Sequence, residues 1–172
     1  MTRSTDFSLE ALFHALDAQR LERGLTWAEV TREINRESER SPLHPVHAST
    51  VKSTRTQRVA EADGILQMLL WLRRSPESFT PGFSPSNARR IRLPEVPAHR
   101  ILRFDTRKLH AALDTRRREK DLTWAALARE LGVGPASLTQ LAKGGRTSFP
   151  HVMRMVGWLE RKAAEFTHAS DA

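Results

Sequence analysis

The chain has 172 residues, a formal net charge of +8 and no cysteine. This length suits one domain or two small ones, and the lack of cysteine excludes disulfides, thiolate zinc sites and cysteine nucleophiles. No apolar run approaches the roughly 20 residues that a membrane-spanning helix needs, and the first residues lack the apolar segment of a signal peptide. The sequence therefore predicts a cytoplasmic protein with no membrane partner.

The positive charge is concentrated in the middle and second half of the chain. Residues 7–79 carry ten Lys and Arg against ten Asp and Glu, residues 80–103 carry five Arg against one Glu, and residues 104–166 carry twelve against seven. Arginine supplies 23 of the 28 basic residues, and its guanidinium suits bidentate phosphate contact. Coding bias in a GC-rich genome explains the arginine excess equally well, but the uneven distribution favours an anionic partner.

An internal repeat organises the chain. The decapeptide LTWAEVTREI at residues 25–34 returns 97 residues later as LTWAALAREL, and the match starts at Phe7 and Phe104. From Val46 and Val133 onward the match continues at an offset of 87, because the first copy carries ten extra residues. Duplication within one chain is the simplest account. It predicts a first repeat over residues 7–79, a linker over 80–103 and a second repeat over 104–166.

The first repeat is predicted to consist of helices. Apolar residues recur at helical spacing behind Ser8, a good N-cap. A second helix starts at Thr26, where Thr-Trp-Ala-Glu is a capping-box pattern, and it is predicted to end in a left-handed turn at Asn35. The third and fourth helices are expected at residues 48–56 and 61–73.

The linker and the second repeat follow. Prolines and serines predict an irregular basic linker over residues 80–103, with short extended pieces near 91–93 and 101–102. The second repeat has N-caps at Asp105 and Thr123 and a left-handed turn at Gly132. Its remaining helices are predicted at residues 135–142 and 150–160, with a last turn ending at residue 166.

Residues 123–144 predict a helix, a glycine-containing turn and a second helix. They resemble the DNA-binding domains of the phage repressor and Cro (XRE-like) family. That family has a small residue in the first helix, a glycine in the turn, and apolar residues after it and inside the second helix. The positions that match this pattern are Ala128, Gly132, Val133, Leu138 and Leu141.

Repeat one fits the family more loosely, because Thr31 and Thr54 depart from its pattern and ten residues are inserted. The resemblance implies an all-α fold: two tandem lambda-repressor-like helix-turn-helix bundles of four to five helices, joined by the irregular basic linker.

The resemblance also implies roles for exposed residues, because the second helix of the motif enters the major groove. The alternative is that these residues only face solvent. The predicted base-facing residues are Pro135, Ala136, Thr139 and Gln140 in repeat two and Ala48, Ser49, Lys52 and Ser53 in repeat one. The predicted phosphate contacts are Thr123, Trp124, Lys143, Gly144 and Arg146 in repeat two, Arg55 and Arg58 in repeat one, and Arg89, Arg90 and Arg92 in the linker.

The tryptophans depart from the family. Trp27 and Trp124 stand where many members have a phosphate-binding glutamine. Each indole N–H can donate to a phosphate, or each ring covers an apolar seam beside its N-cap. Trp71 and Trp158, in the fourth helices, are predicted to belong to the core.

These features predict a sequence-specific binder of double-stranded DNA, associated with the nucleoid and acting as a transcriptional regulator, more as a repressor than as an activator. Repeat two is the expected main reader, and neutral repeat one provides weaker readout, a homodimer contact or a protein partner. The alternative is a protein-interaction module, antitoxin-like or a phage-encoded adaptor. No enzyme activity, cofactor or metal is predicted: no nucleophile motif is present, and His44 and His47 lack a third ligand nearby in sequence.

Overall fold

The computed structural model describes residues 6–36, 45–57, 60–82, 91–97 and 100–171. His44, Arg58, Arg89 and Arg90 lie outside these ranges. The described residues form eight α-helices, two short 3-10 helices and one antiparallel pair of strands, so they are mostly helical and roughly all-α, as predicted, with one small two-stranded sheet. The α-helices are α1 (Leu9–Glu22), α2 (Trp27–Ile34), α3 (Ala48–Ser53), α4 (Ala62–Leu72), α5 (Thr106–Glu119), α6 (Trp124–Leu131), α7 (Pro135–Ala142) and α8 (Phe149–Leu159); the 3-10 helices are Pro76–Phe79 and Ala163–Phe166; the strands are β1 (Arg100–Phe104) and β2 (Thr167–Asp171).

The predicted start and stop signals hold at most helix ends. The side chain of Ser8 accepts a hydrogen bond from the N–H of Ala11 at 3.1 Å, and Asp105 accepts one from Lys108 at 2.9 Å. Thr26 begins α2 in a complete capping box. Gly132 ends α6 with φ of +62°, a conformation that costs residues with a Cβ about 1–2 kcal/mol.

The predicted left-handed turn at Asn35 is wrong. Its φ is −89°, which is not left-handed, and its side chain forms hydrogen bonds across the inserted segment. Nδ2 donates to the carbonyl oxygen of Val46 at 2.6 Å, and Oδ1 accepts from the N–H of Val46 at 2.8 Å. The amide thus closes the base of the inserted segment, where the two repeats differ. The following helix α3 is shorter than predicted and ends at Ser53.

The extended piece predicted near residues 101–102 is part of a strand. Residues 100–104 form β1, which pairs with β2 so that Phe104 lies opposite Thr167; this pairing was not predicted. Leu102 and Phe104 are buried while Arg103 between them is only partly buried, which gives β1 one face toward the core. Ile91, earlier in the linker, is also buried. Leu93 and Val96 also pack against the core, so the described linker residues 91–97 and 100–103 lie along it.

The two repeats share one hydrophobic core, and they meet at equivalent residues. The N–H of Ala62 donates to the carbonyl oxygen of Thr147 at 3.1 Å, and the N–H of Phe149 donates to that of Ala60 at 2.9 Å. Ala60 matches Thr147 and Ala62 matches Phe149 at the repeat offset of 87. If each residue is replaced by its match in the other repeat, the first bond becomes the second and the second becomes the first. A local pseudo-twofold axis therefore relates the repeats at this point.

Segments before the first helix of each repeat cross to the other repeat. The ring of Phe149 in repeat two lies 4.6 Å from that of Phe7. In the other direction Asp63 of repeat one accepts a hydrogen bond from the N–H of Phe104 at 3.3 Å, and Phe7 and Phe104 are matched residues. Arg154 binds Asp6 with two hydrogen bonds of 2.7 and 3.0 Å. These contacts join the repeats into one packed unit around α4 and α8.

Candidate nucleic-acid interface

Helices α6 and α7 are fixed against each other by a short turn and a buried face. Leu127, Ala128 and Leu131 are buried on α6, and Leu138 and Leu141 are buried on α7. The family-like pattern of small and apolar residues therefore lies on the inner face. The opposite face of α7 is left to solvent.

The four predicted base-facing residues of repeat two share that outer face. Pro135, Ala136, Thr139 and Gln140 are all exposed. A Cβ added at Gly145 would lie 2.7 Å from Oε1 of Gln140, so the glycine leaves room for this amide. The face combines one amide with small side chains, a set able to contact base edges and thymine methyl groups.

The turn after α7 corrects one part of the prediction. The N–H of Gly144 donates to the carbonyl oxygen of Leu141 at 3.0 Å, and the N–H of Gly145 donates to that of Gln140 at 2.8 Å. Both amides therefore complete the end of α7 and are not available to hold a phosphate. Any anion contact at this turn falls to side chains.

Arg107, at the start of α5, was missed by the sequence analysis. Its Nη2 donates to the carbonyl oxygen of Lys143 at 3.3 Å. A Cβ at Gly144 would lie 2.9 Å from Nε of Arg107, so Gly144, with φ of +75°, lets the guanidinium lie over the turn. The signal was present in the repeat: Arg107 replaces Glu10 of the first copy.

Three exposed cations gather at this end of α7. Lys143 and Arg146 form no ion pair with any acidic side chain in the described ranges. Arg107 is held beside them by its bond to the main chain. We name Arg107, Lys143 and Arg146 the basic turn. Arg146 also lies close enough to Asp63 to lower the pKa of that carboxyl by its charge. Exposed cations without a salt bridge are able to contact phosphates.

The corresponding face of repeat one is weaker. Ser49 and Lys52 are exposed on α3, whereas Ala48 and Ser53 are partly buried. Arg55 is exposed just beyond the helix. Thr54 is only 1% exposed, and it is tolerated at this apolar position because its hydroxyl donates to the carbonyl oxygen of Val51 at 2.6 Å.

Trp124 covers a seam at the start of α6. Its ring stacks on His110 with centroids 4.6 Å apart, and the guanidinium of Arg117 lies 4.7 Å from the ring centroid. Arg117 is fixed by Asp114 and by the carbonyl oxygen of Leu122. No described residue accepts a hydrogen bond from the indole N–H of Trp124, so this geometry provides the seam cover and leaves the N–H available to an anion.

The same arrangement recurs in repeat one. Trp27 stacks on Phe13 at 5.5 Å, with the guanidinium of Arg20 at 4.9 Å. The predicted phosphate ligand Thr123 is exposed, and its oxygen accepts a bond from the N–H of Ala126 at 3.1 Å. Its hydroxyl hydrogen is therefore free to point outward.

The two later tryptophans are half-buried against the core rather than enclosed by it. The indole N–H of Trp71 donates to Glu33 at 2.8 Å, and that of Trp158 donates to Glu130 at 2.9 Å. Arg23 also binds Glu33, and its hydrogen bonds, followed by that of Trp71, hold the pKa of this carboxyl below its ordinary value. Both tryptophans thus tie the second helix of a repeat to its fourth.

The remaining predicted groups are scattered. Arg92 is exposed in the linker next to buried Ile91, and His47 is exposed before α3. Within the described ranges no cluster of three His, Asp or Glu residues is placed to hold a metal ion. None of the helices described there is long and apolar enough to cross a bilayer.

Searches against protein-family models, curated proteins and solved structures find no match to this chain.

Proposed function

We propose that this chain binds double-stranded DNA sequence-specifically through two helix-turn-helix units, α2–α3 and α6–α7, as two tandem repressor-like bundles. The observation that carries the proposal is the outer face of α7, which is exposed, bears Gln140 among small residues, and ends at the basic turn. Unit α6–α7 is the main reader.

In this proposal α7 lies in the major groove, which is about 12 Å wide and admits a helix. Gln140 pairs with an adenine, whose N6 and N7 match a side-chain amide. Ala136 and Thr139 contact a thymine methyl group. The basic turn binds phosphates on one side of the groove, and the start of α6, with Thr123 and Trp124, meets the backbone with its positive helix end.

The physiological role that follows is transcriptional regulation, with repression favoured over activation. Repression requires only occupancy of a site, whereas activation requires a further surface for a protein partner. Among the described residues Leu21 is the one large hydrophobic side chain that is mostly exposed. The described surface therefore offers little for a stable apolar contact.

The alternative is a protein-interaction module, and the chain offers two features for it: neutral repeat one and the apolar residues 65–72. Most of that stretch is buried in α4: Ile65, Leu66, Met68, Leu69 and Leu72. Since α4 packs on β1 and α8, the stretch is interior. No described feature favours this alternative over DNA binding.

The test begins with selection of duplexes from a random pool, followed by titration of the enriched duplex at several salt concentrations. Gln140→Ala should cost about 1–3 kcal/mol and relax specificity at one base position. Lys143→Ala should weaken binding to all sequences alike and lower the salt slope by about 1. Arg107→Ala should behave like Lys143→Ala.

Arg73→Ala is the matched control for Arg107→Ala. It removes the same charge from an exposed side chain that forms no salt bridge in the described ranges. Helix α4 begins beside Thr147, and its 11 residues carry Arg73 about 16 Å from that point. Arg73→Ala should leave affinity almost unchanged. The proposal fails if no motif is enriched, or if the log of the binding constant does not fall with the log of the salt concentration.

A further inference from the structure

We infer that one chain binds one non-palindromic duplex, in a single orientation, with two different half-sites at a fixed spacing. The inference rests on the proposed DNA binding. It follows from a pseudo-twofold arrangement of the repeats combined with unequal side chains on their matched outer faces.

The arrangement is that of a dimer made within one chain. Equivalent residues bond reciprocally at the centre, through Ala62 with Thr147 and Phe149 with Ala60. The symmetry extends outward. Gln67 of α4 and Arg154 of α8 are matched, and each binds the segment before the first helix of the other repeat: Gln67 donates to the carbonyl oxygen of Leu102 at 2.9 Å, and Arg154 binds Asp6. Helices α3 and α7 therefore lie on opposite sides of this axis, although α7 packs on both α5 and α6 whereas α3 packs mainly on α2.

A symmetric dimer reads a palindrome, because identical side chains face both half-sites. Here the faces differ at every predicted base-reading position. Thr139 is matched by Lys52, a donor-only cation suited to guanine, and Gln140 is matched by Ser53, which is too short for bidentate pairing with adenine. The full set of matched pairs is Ala48 with Pro135, Ser49 with Ala136, Lys52 with Thr139 and Ser53 with Gln140.

The phosphate anchors differ as well. Arg107 is matched by Glu10 and Lys143 by Thr56. Repeat one thus has an anion, Glu10, where repeat two has the cation Arg107 of its basic turn. The cations of repeat one are instead Lys52 on α3 and Arg55 just after it. One half-site is held strongly and the other weakly, which gives the complex a polarity.

The spacing between the two half-sites is fixed because the two repeats pack against each other and cannot move independently. The buried carboxylate of Glu77 in repeat one accepts a hydrogen bond from the N–H of Ala163 in repeat two at 2.8 Å. The ring of Phe149 contacts both Phe7 and Phe104. One added base pair turns the second half-site by about a tenth of a helical turn, and this core does not allow α3 to follow it.

The test compares the motifs that two proteins select from the same random duplex pool. The first is the natural chain. The second is a symmetrised variant in which α3 receives the outer face of α7: Ala48→Pro, Ser49→Ala, Lys52→Thr and Ser53→Gln. Proline is acceptable at position 48 because this is the first residue of α3. A thermal melt verifies that the variant folds.

We expect the natural chain to select two unlike half-sites at one spacing, and insertion of one base pair between them to lower affinity at least tenfold. The symmetrised variant should select a motif whose weak half-site becomes an inverted copy of the strong one. If that variant does not fold, the reciprocal change Thr139→Lys with Gln140→Ser, at two exposed positions, should convert the strong half-site to the weak type.

The inference is overturned if the natural chain selects a palindrome, a single half-site, or half-sites at variable spacing. It is also overturned if the face exchange leaves the motif unchanged. These results differ from failure of the proposed function, in which no motif is enriched at all.

Discussion

Phe149→Ala should destabilise the whole chain rather than one repeat. The ring of Phe149 is fully buried, and it contacts Phe7 and Phe104, the matched aromatic residues that precede α1 and α5. Its own match in repeat one is Ala62, which is already small and buried. The opposite side of the interface therefore offers no large side chain to fill the space that the lost ring leaves.

The expected loss in free energy of unfolding is about 3–5 kcal/mol, the usual range for truncating a buried phenylalanine. The upper half of the range applies because two aromatic pairs disappear, each worth about 0.5–1.5 kcal/mol beyond buried area. Urea unfolding followed by tryptophan fluorescence and by far-ultraviolet circular dichroism measures this loss. At a slope of about 2 kcal/mol per molar, the midpoint should fall by roughly 2 M.

Leu21→Ala is the control, since Leu21 is 62% exposed and should change stability by less than about 0.5 kcal/mol. The natural chain should unfold in one transition with both probes, because its core is continuous across the repeats. A loss below about 1.5 kcal/mol for Phe149→Ala, or two separate transitions in the natural chain, would refute the reasoning.

Three further changes test local features. Asn35→Ala removes both bonds to Val46 and should cost about 1–3 kcal/mol, measured by thermal melting. Asn35→Asp should not restore this stability, because its second carboxylate oxygen faces the carbonyl oxygen of Val46 where the amide donated, and no loss in either variant would contradict the closing role. Gly132→Ala should cost about 1–2 kcal/mol because φ is +62°; an unchanged melting temperature would contradict this. Burial raises the pKa of the Asp63 carboxyl above its ordinary 3.8, so the folded chain keeps a proton that the unfolded chain has released, and the contribution of this group to stability falls as pH rises through that window. Across acidic pH the melting temperature of the natural chain should therefore fall relative to that of Asp63→Asn as pH rises, and a constant difference between the two proteins would exclude this contribution.

The repeat was predictable because its matched residues make the same contacts in both copies. Asp17, Arg20 and Trp27 form one set of ion pair and cation–π contact, and Asp114, Arg117 and Trp124 form the other. Helix caps were equally readable, since a cap depends on residues three apart in sequence. The doubled LTWA segment is thus a copied helix start with its own arginine and aromatic partners.

What depended on tertiary packing was not predictable from local pattern. Strand β2, with sequence THASD, has no strand-like alternation, and its conformation comes from pairing with β1. Asn35 is not an ordinary helix cap, because its side chain forms two hydrogen bonds with the main chain of Val46, which follows the inserted segment. Arg107 became a candidate because the fold brings it over Gly144, 37 positions later in the sequence. The bonding of equivalent residues at the repeat boundary also has no signature in the sequence of either copy.

Hydroxyl-radical footprinting of the enriched duplex by the natural chain tests the central claim most directly. The account predicts two protected patches on one face of the duplex, about 10 base pairs or a multiple apart, with one patch stronger than the other at one chain per duplex. Arg107→Ala should weaken the stronger patch first. A single patch, two equal patches, or protection that does not depend on sequence would contradict the account.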